Sequence, residues 1–152
     1  MNNEQMIETL AAVPGDTAAA FAALDEDRSR QPMDDGWTPR EILGHLKESA
    51  AVYDERVTRV ATEENPYLLA YDQDEGVARG NYNSADPSTL LTSIADSRRK
   101  TIALLRSLPV DAWERPGVHS ETGPLTLRSM VEHMVEHETD HIADIRRAAG
   151  KS

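Results

Sequence analysis

The sequence has no cysteine among its 152 residues. The chain can therefore supply no disulfide, no thiol nucleophile and no thiolate metal ligand. Basic residues are also scarce, since 16 Lys and Arg stand against 27 Asp and Glu, which gives a formal net charge of −11. Because neutralising phosphates requires a surplus of cations, this composition argues against a nucleic-acid-binding protein.

Long apolar runs are missing as well. The longest unbroken run, residues 18–24, is too short for a membrane span or for the core of a signal peptide, and no basic residues precede it at the N-terminus. A chain of this length is expected to form one domain, residues 1–152, that is large enough to bury a core. We therefore expect a soluble, cytoplasmic protein that contacts neither nucleic acid nor membrane.

Apolar residues recur every three or four positions in four stretches, and no stretch alternates with the two-residue period of a strand. This pattern predicts an all-α fold, a four-helix bundle. The clearest helix start is a capping box formed by Thr38 and Glu41, and Pro14 is expected to split or kink the first helix. The predicted helices cover about residues 3–24, 38–62, 87–108 and 126–150.

The connection between the second and third predicted helices, residues 63–86, is long for a compact bundle. Its apolar residues Tyr67, Leu68, Leu69 and Tyr71 leave two interpretations open. The segment is either a flap that covers a site or a surface loop anchored by a few aromatic residues. If the chain is an enzyme, we expect a pocket beneath this segment.

Three of the five histidines follow one another at four-residue spacing in the fourth predicted helix, as His133, His137 and His141. Imidazoles at i and i+4 share a helix face and can share one metal ion, but the outer two are about 12 Å apart along the axis, too far for a common ion. A helical wheel places His137 and His141 closer to the apolar face than His133, and His45 on the flank of the second helix. A triad of His45, His137 and His141 would bridge two helices and leave a coordination position open, as in catalytic zinc sites. The alternative is solvated or hydrogen-bonded histidines at a chance spacing.

Residues 137–141 also match the His-Glu-x-x-His motif of zinc peptidases. The elongated form of that motif requires Gly and His where this sequence has Asp144 and Arg147. Since no strand is predicted to hold an extended peptide, the sequence disfavours a peptidase.

Two carboxylates are candidates for proton transfer beside the histidines. Glu138 lies within the apolar face of the fourth helix, where it could orient a ligand, act as a base or pair with an arginine such as Arg98. Glu48 lies one turn after His45 and could accept a proton, unless its side chain is simply exposed. His119, in a loop at residues 117–122, either reaches the mouth of the site or is a surface residue.

The motifs occur in a recognisable order: Trp-Thr-Pro-Arg-Glu-Ile-Leu-Gly-His-Leu at 37–46, Gly-Pro-Leu-Thr-Leu at 123–127, and the three spaced histidines that end at His141. This ordered set resembles the DinB-like superfamily, which includes YfiT-type proteins, over nearly the whole chain. The resemblance implies a four-helix bundle with an unusual long connection and a homodimeric assembly. It also implies a divalent ion, zinc or nickel, held by His45, His137 and His141.

The resemblance further implies chemistry on a small-molecule substrate. Characterised members include transferases and isomerases that depend on a low-molecular-weight thiol such as bacillithiol or mycothiol, and other members carry the description of metal-dependent hydrolase. A metal-coordinated thiol is deprotonated and becomes a nucleophile, and with no cysteine in the chain that thiol would be a cosubstrate. We expect a metal-dependent S-transferase. The alternatives are a hydrolase acting through metal-bound water and a metal-binding or interaction protein without turnover.

Overall fold

The computed structural model describes residues 1–150, which form a bundle of four long helices with smaller elements in the connections. The predicted four-helix bundle is thereby confirmed. No helix within these residues is both long and apolar enough to cross a membrane. The long helices are α1 (Asn3–Ala22), α3 (Pro39–Thr62), α5 (Pro87–Ser107) and α6 (Leu127–Gly150), and the short ones are α2 (Glu26–Ser29) and α4 (Gln73–Gly80).

Side-chain caps fix where two of the long helices begin. Thr38 accepts a hydrogen bond from the backbone N–H of Glu41, and the Glu41 carboxylate accepts one from the backbone N–H of Thr38, which completes the predicted capping box. Asp86 caps α5 with a single backbone bond, by accepting from the N–H of Ser88. α1 continues through Pro14, so the expected split is absent, because packing of its apolar face outweighs one missing backbone hydrogen bond.

The four long helices occupy the corners of a square in which α1 and α3 each pack against both α5 and α6. The core consists of two apolar clusters, one at each end of the bundle. On α6, Met134 belongs to one cluster and Ile142 to the other, and Glu138 lies midway between them. A polar layer therefore crosses the middle of the bundle.

A three-stranded sheet, which the sequence did not predict, joins two of the connections. Its strands are β1 (Tyr67–Leu68), β2 (Pro116–His119) and β3 (Gly123–Thr126). β1 runs parallel to β2, and β2 runs antiparallel to β3. Gly123 begins β3 with a φ of 84°, a left-handed conformation that glycine adopts at low cost. No strand is evident in the sequence, because segments of two to four residues are too short to show a period.

The long connection at residues 63–86 is more ordered than predicted, because it contains β1, α4 and a 3₁₀ turn at Tyr82–Ser84. Leu68 and Tyr82 are buried and anchor this segment, whereas Tyr67 and Leu69 are exposed. Val77 of α4 is buried as well, so the segment is fixed against the bundle at several points along its length.

Candidate metal centre

Three imidazoles from two helices converge between α3 and α6. His45 lies near the start of α3, and His137 and His141 lie one turn apart on α6. The Nε2 atom of His137 is 2.9 Å from Nε2 of His45 and 3.2 Å from Nε2 of His141. Nitrogens that each bond one ion at about 2.1 Å can be no more than about 4.2 Å apart, so both separations fit a shared ion. Within residues 1–150 no carboxylate joins this group of possible ligands.

Burial keeps these imidazoles in the neutral form. Desolvation, together with the nearby His141, lowers the pKa of His45 to about 4. Desolvation and the neighbouring histidines lower the pKa of His137 to about 3. Burial also lowers the pKa of His141, although the Asp144 carboxylate 3.6 Å from its Nδ1 opposes this shift. Neutral imidazole is the form that donates a lone pair to a metal ion.

The second ring nitrogen of each histidine, Nδ1, is buried and makes no hydrogen bond within the described part of the chain. A proton placed between two imidazoles joins one pair of nitrogens, whereas a divalent cation accepts a lone pair from all three at once. Imidazole ligands suit zinc and nickel alike. The residues present therefore fit the divalent ion that the family resemblance implies.

Aromatic rings flank the three imidazoles. The ring centroid of Trp37 is 5.1 Å from that of His45, and the ring of Tyr53 is 6.2 Å from that of His137. His133 stacks 6.1 Å from His137, but it is exposed and lies outside the converging group. The helical wheel predicted that His133 lies further from the core than His137 and His141.

Glu138 pairs with Arg98 of α5 across the polar layer, and each side chain is only 2% exposed. This ion pair is one of the three roles that the sequence left open for Glu138. Burial lowers the pKa of Arg98 to about 10, so its guanidinium stays charged at neutral pH and balances the carboxylate. A role for Glu138 as a base remains a prediction.

Glu48 is bonded to tyrosine hydroxyls rather than to the three histidines. Its carboxylate accepts hydrogen bonds from the hydroxyls of Tyr71 and Tyr82, which lie on either side of α4. The side chain is therefore partly buried rather than exposed. Its contacts join α3 to the connection that follows, and its predicted role as a proton acceptor stays a prediction.

A recess of about 400 Å³ lies near the converging histidines, although none of the three is among its lining residues. Tyr53 and His133, whose rings lie next to that of His137, form part of its lining. His119 also lines this recess and is partly buried. Arg56 completes this side of the recess. No motif points to this residue, because only the packing of the sheet on α3 brings it there.

Comparison with known proteins gives a consistent assignment. A profile of the DinB superfamily matches residues 9–145. YfiT of Bacillus subtilis, a candidate metal-dependent hydrolase by name, is 29% identical over 144 residues, which cover 93% of this chain and 81% of that protein. OB0782 of Oceanobacillus iheyensis carries the same description and is 31% identical over 111 residues, covering 72% of this chain and 63% of that protein.

Solved structures agree with the sequence comparison. The structure of Bacillus subtilis YfiT, described as having an unusual four-helix bundle topology, matches with a TM-score of 0.92 at 28% identity, over 98% of this chain and 86% of that one. A mycothiol-dependent maleylpyruvate isomerase matches with a TM-score of 0.76 at 15% identity, over 95% of this chain and 61% of that one, and so shares the fold. Since the profile match spans most of the sequence, the chain belongs to the DinB superfamily.

Proposed function

We propose that this chain is a divalent-metal-dependent enzyme that transfers a low-molecular-weight thiol to an electrophilic small molecule. The observation that carries the proposal is the convergence of three neutral imidazoles on one point beside a recess. A bound zinc or nickel ion would lower the pKa of a coordinated thiol and so supply a thiolate at neutral pH. Because the chain has no cysteine, the thiol would be a cosubstrate such as bacillithiol or mycothiol.

The residues of the chain have separate tasks in such a transfer. His45 would hold the ion from α3, and His137 and His141 would hold it from α6. Trp37 and Tyr53 flank the imidazoles with apolar ring surface, which limits the access of water to them. The sulfur forms a bond to an electrophilic carbon, the leaving group departs with its electron pair, and the thiol proton passes to solvent.

The Arg98–Glu138 pair favours thiol transfer over hydrolysis. Activating water demands a proton acceptor, and the two candidates, Glu138 and Glu48, are engaged with Arg98 and with tyrosine hydroxyls. A thiol is far more acidic than water and needs less help from a carboxylate.

A metal-dependent hydrolase is the second candidate, because the YfiT relative carries that description. A protein that only stored the ion would favour a closed set of four ligands. Residues 1–150 bring three together, which supports an enzyme. From the family resemblance we also propose a homodimer in the cytoplasm, acting on a small molecule.

Metal content tests the first part of the proposal. Elemental analysis of the purified protein should find close to one zinc or nickel ion per chain, and His45→Ala and His137→Ala should each lose most of it. His133→Ala is the matched control, because this exposed histidine lies on the same helix outside the triad and should leave loading unchanged. Equal loading in all four proteins would show that the triad is not the ligand set.

Thiol consumption tests the second part. The loaded protein should consume bacillithiol, mycothiol or glutathione in the presence of a chloro-dinitroaromatic electrophile, and a chelator should abolish the reaction. Hydrolysis of an activated ester without loss of thiol would favour the second candidate instead. Full metal loading with neither reaction would contradict an enzyme of either kind on these substrates.

A further inference from the structure

The recess beside the triad has an unusual charge for this protein. It is lined by Arg56 of α3, His119 of β2 and His133 of α6, and no Asp or Glu is among its lining residues. The whole chain carries 27 acidic and 16 basic residues. Nitrogen donors gathered without a carboxylate favour an anionic ligand at this place.

Arg56 is held at the rim by one hydrogen bond. Its Nη2 donates to the backbone carbonyl of Leu69 at 2.7 Å, and it forms no other hydrogen bond within residues 1–150. A guanidinium has five N–H donors in a planar fork, so most of them are available to a ligand. Such a fork matches the two oxygens of a carboxylate.

The hairpin turn between β2 and β3 sets the proton on His119. Its Nδ1 accepts hydrogen bonds from the backbone N–H groups of Glu121, at 3.1 Å, and Thr122, at 3.3 Å. Because Nδ1 accepts, Nε2 carries the proton of the neutral ring. His119 is thereby fixed as a donor, whatever its charge.

Apart from Thr122 and Ser129, the rest of the lining is mainly apolar. Leu68 and Met130 are 1% and 6% exposed and pack in the core, and Leu125 of β3 lies beside them. A volume of about 400 Å³ lies within the range of about 300 to 1,000 Å³ typical of small-molecule sites. The recess thus combines an apolar floor with nitrogen donors at its rim.

We propose that this recess binds a small organic carboxylate with an apolar body, and that Arg56 and His119 recognise its carboxylate group. Tyr53 and His133 of its lining have their rings about 6 Å from that of His137, so a ligand in the recess is separated from the proposed ion by these rings. This ligand would be the electrophilic substrate of the transfer. That assignment rests on the proposed function, whereas binding to the recess does not. The carboxylate could instead belong to the thiol, since glutathione also carries carboxylates.

Calorimetric titration with 4-phenylbutanoate tests binding. The acid should bind at least tenfold more tightly than 4-phenylbutanamide, because the amide has no negative charge. Arg56→Gln should weaken binding of the acid at least tenfold. Arg99→Gln is the matched control, since this exposed arginine on α5 pairs with Asp96 and does not line the recess. Equal affinities for acid and amide, or an affinity for the acid that Arg56→Gln leaves unchanged, would overturn the proposal.

Removal of the ion separates this proposal from the proposed function. The acid should bind equally well to His141→Ala and to the unaltered chain treated with chelator. Loss of binding in both would place the carboxylate on the ion and overturn the recess as its site. If the untreated protein binds the acid but holds no zinc or nickel as purified and takes up none when either ion is added, the recess is supported and the metal-dependent function is contradicted. Glutathione binding that Arg56→Gln weakens would support the same carboxylate site and assign its ligand to the thiol.

Discussion

Arg98 and Glu138 are single residues on which the centre of the bundle depends. Both lie in the polar layer between the two apolar clusters, and they join the diagonal helices α5 and α6. Several nitrogens of Arg98 have no hydrogen-bond partner within residues 1–150. The Glu138 carboxylate is therefore the main group that offsets the cost of burying the positive charge of Arg98. Arg98 also contributes to the lowered pKa of His137, after burial and the other histidines. The pair thus holds α5 against α6, and its arginine also acts on the pKa of a proposed metal ligand.

Replacing Glu138 by Ala should lower the free energy of unfolding by about 3 to 5 kcal/mol, because it leaves a buried guanidinium without its counter-charge. Urea unfolding followed by circular dichroism measures this loss. Glu132→Ala is the control, since this exposed residue of the same helix should change stability by less than about 0.5 kcal/mol.

A second substitution, Glu138→Gln, tests a role for Glu138 in proton transfer. A Glu138→Gln protein that keeps its stability and metal content but loses turnover would indicate a base. A loss of stability below about 1 kcal/mol in Glu138→Ala would contradict the structural role described above.

At the scale of elements, α4 is held to α3 by close packing around one aromatic ring. A Cβ added at Gly44 of α3 or Gly80 of α4 would overlap the ring of Tyr82. That ring is buried, and its hydroxyl donates to Glu48 on the same face of α3. The long connection is fixed by this contact rather than by its own helical propensity.

Gly44→Ala should therefore destabilise the protein by about 1 to 3 kcal/mol, although alanine favours a helix by about 1 kcal/mol over glycine. Gly15→Ala is the matched control, because a Cβ at this position in α1 meets nothing within 4 Å and should stabilise the protein slightly. Thermal unfolding of the two variants gives the comparison. A Gly44→Ala protein as stable as Gly15→Ala would show that Tyr82 moves aside without cost.

The long helices could be predicted from the sequence because their start signals are local. Thr38 and Glu41 lie three residues apart and form the same capping box in the structure. The strands could not be predicted, since Pro116 and Pro124 lie within them and each strand has at most four residues. The pairing of β1 with β2 joins two connections that are distant in sequence, and β3 adds to β2 through a short hairpin, so no alternating pattern marks these strands.

The candidate site was predictable to the extent that it follows from helix geometry. The four-residue spacing predicted that His137 and His141 share a face, and the helical wheel added His45 from a second helix. The ion pair between Glu138 and Arg98 was one of three roles that the sequence left open for Glu138, because sequence alone does not say which helices face each other across the bundle. The joint role of Arg56 and His119 depends on where the sheet packs, which no local pattern encodes.

At the scale of the whole molecule, an ion held between α3 and α6 would stabilise the complete bundle. Its ligands come together only when these two helices pack, so the unfolded chain offers at most the pair on α6. A ligand that binds the folded state alone adds about 2.7 kcal/mol when it is present at 100 times its dissociation constant. Stability should therefore follow metal occupancy.

Thermal unfolding with and without chelator measures this coupling. The loaded protein should lose several degrees of its midpoint on chelation, in keeping with a change of a few kcal/mol. His141→Ala should show no such shift, whereas His133→Ala should behave like the unaltered chain. If a protein shown to contain one ion per chain has the same midpoint temperature with and without chelator, a ligand set divided between two helices would be contradicted.

His45 and His137 are 92 positions apart, so a single cut in the chain between them separates the proposed ligands onto two fragments. A protease that cuts the connection near the exposed Leu69 would leave one ligand on the N-terminal fragment and two on the C-terminal fragment. The bound ion would then be coordinated by ligands from two separate polypeptides and would hold them together, in addition to their packing. Nicked protein should thus travel as a single species in native electrophoresis, and the loss of the ion would be the step that makes the cut visible.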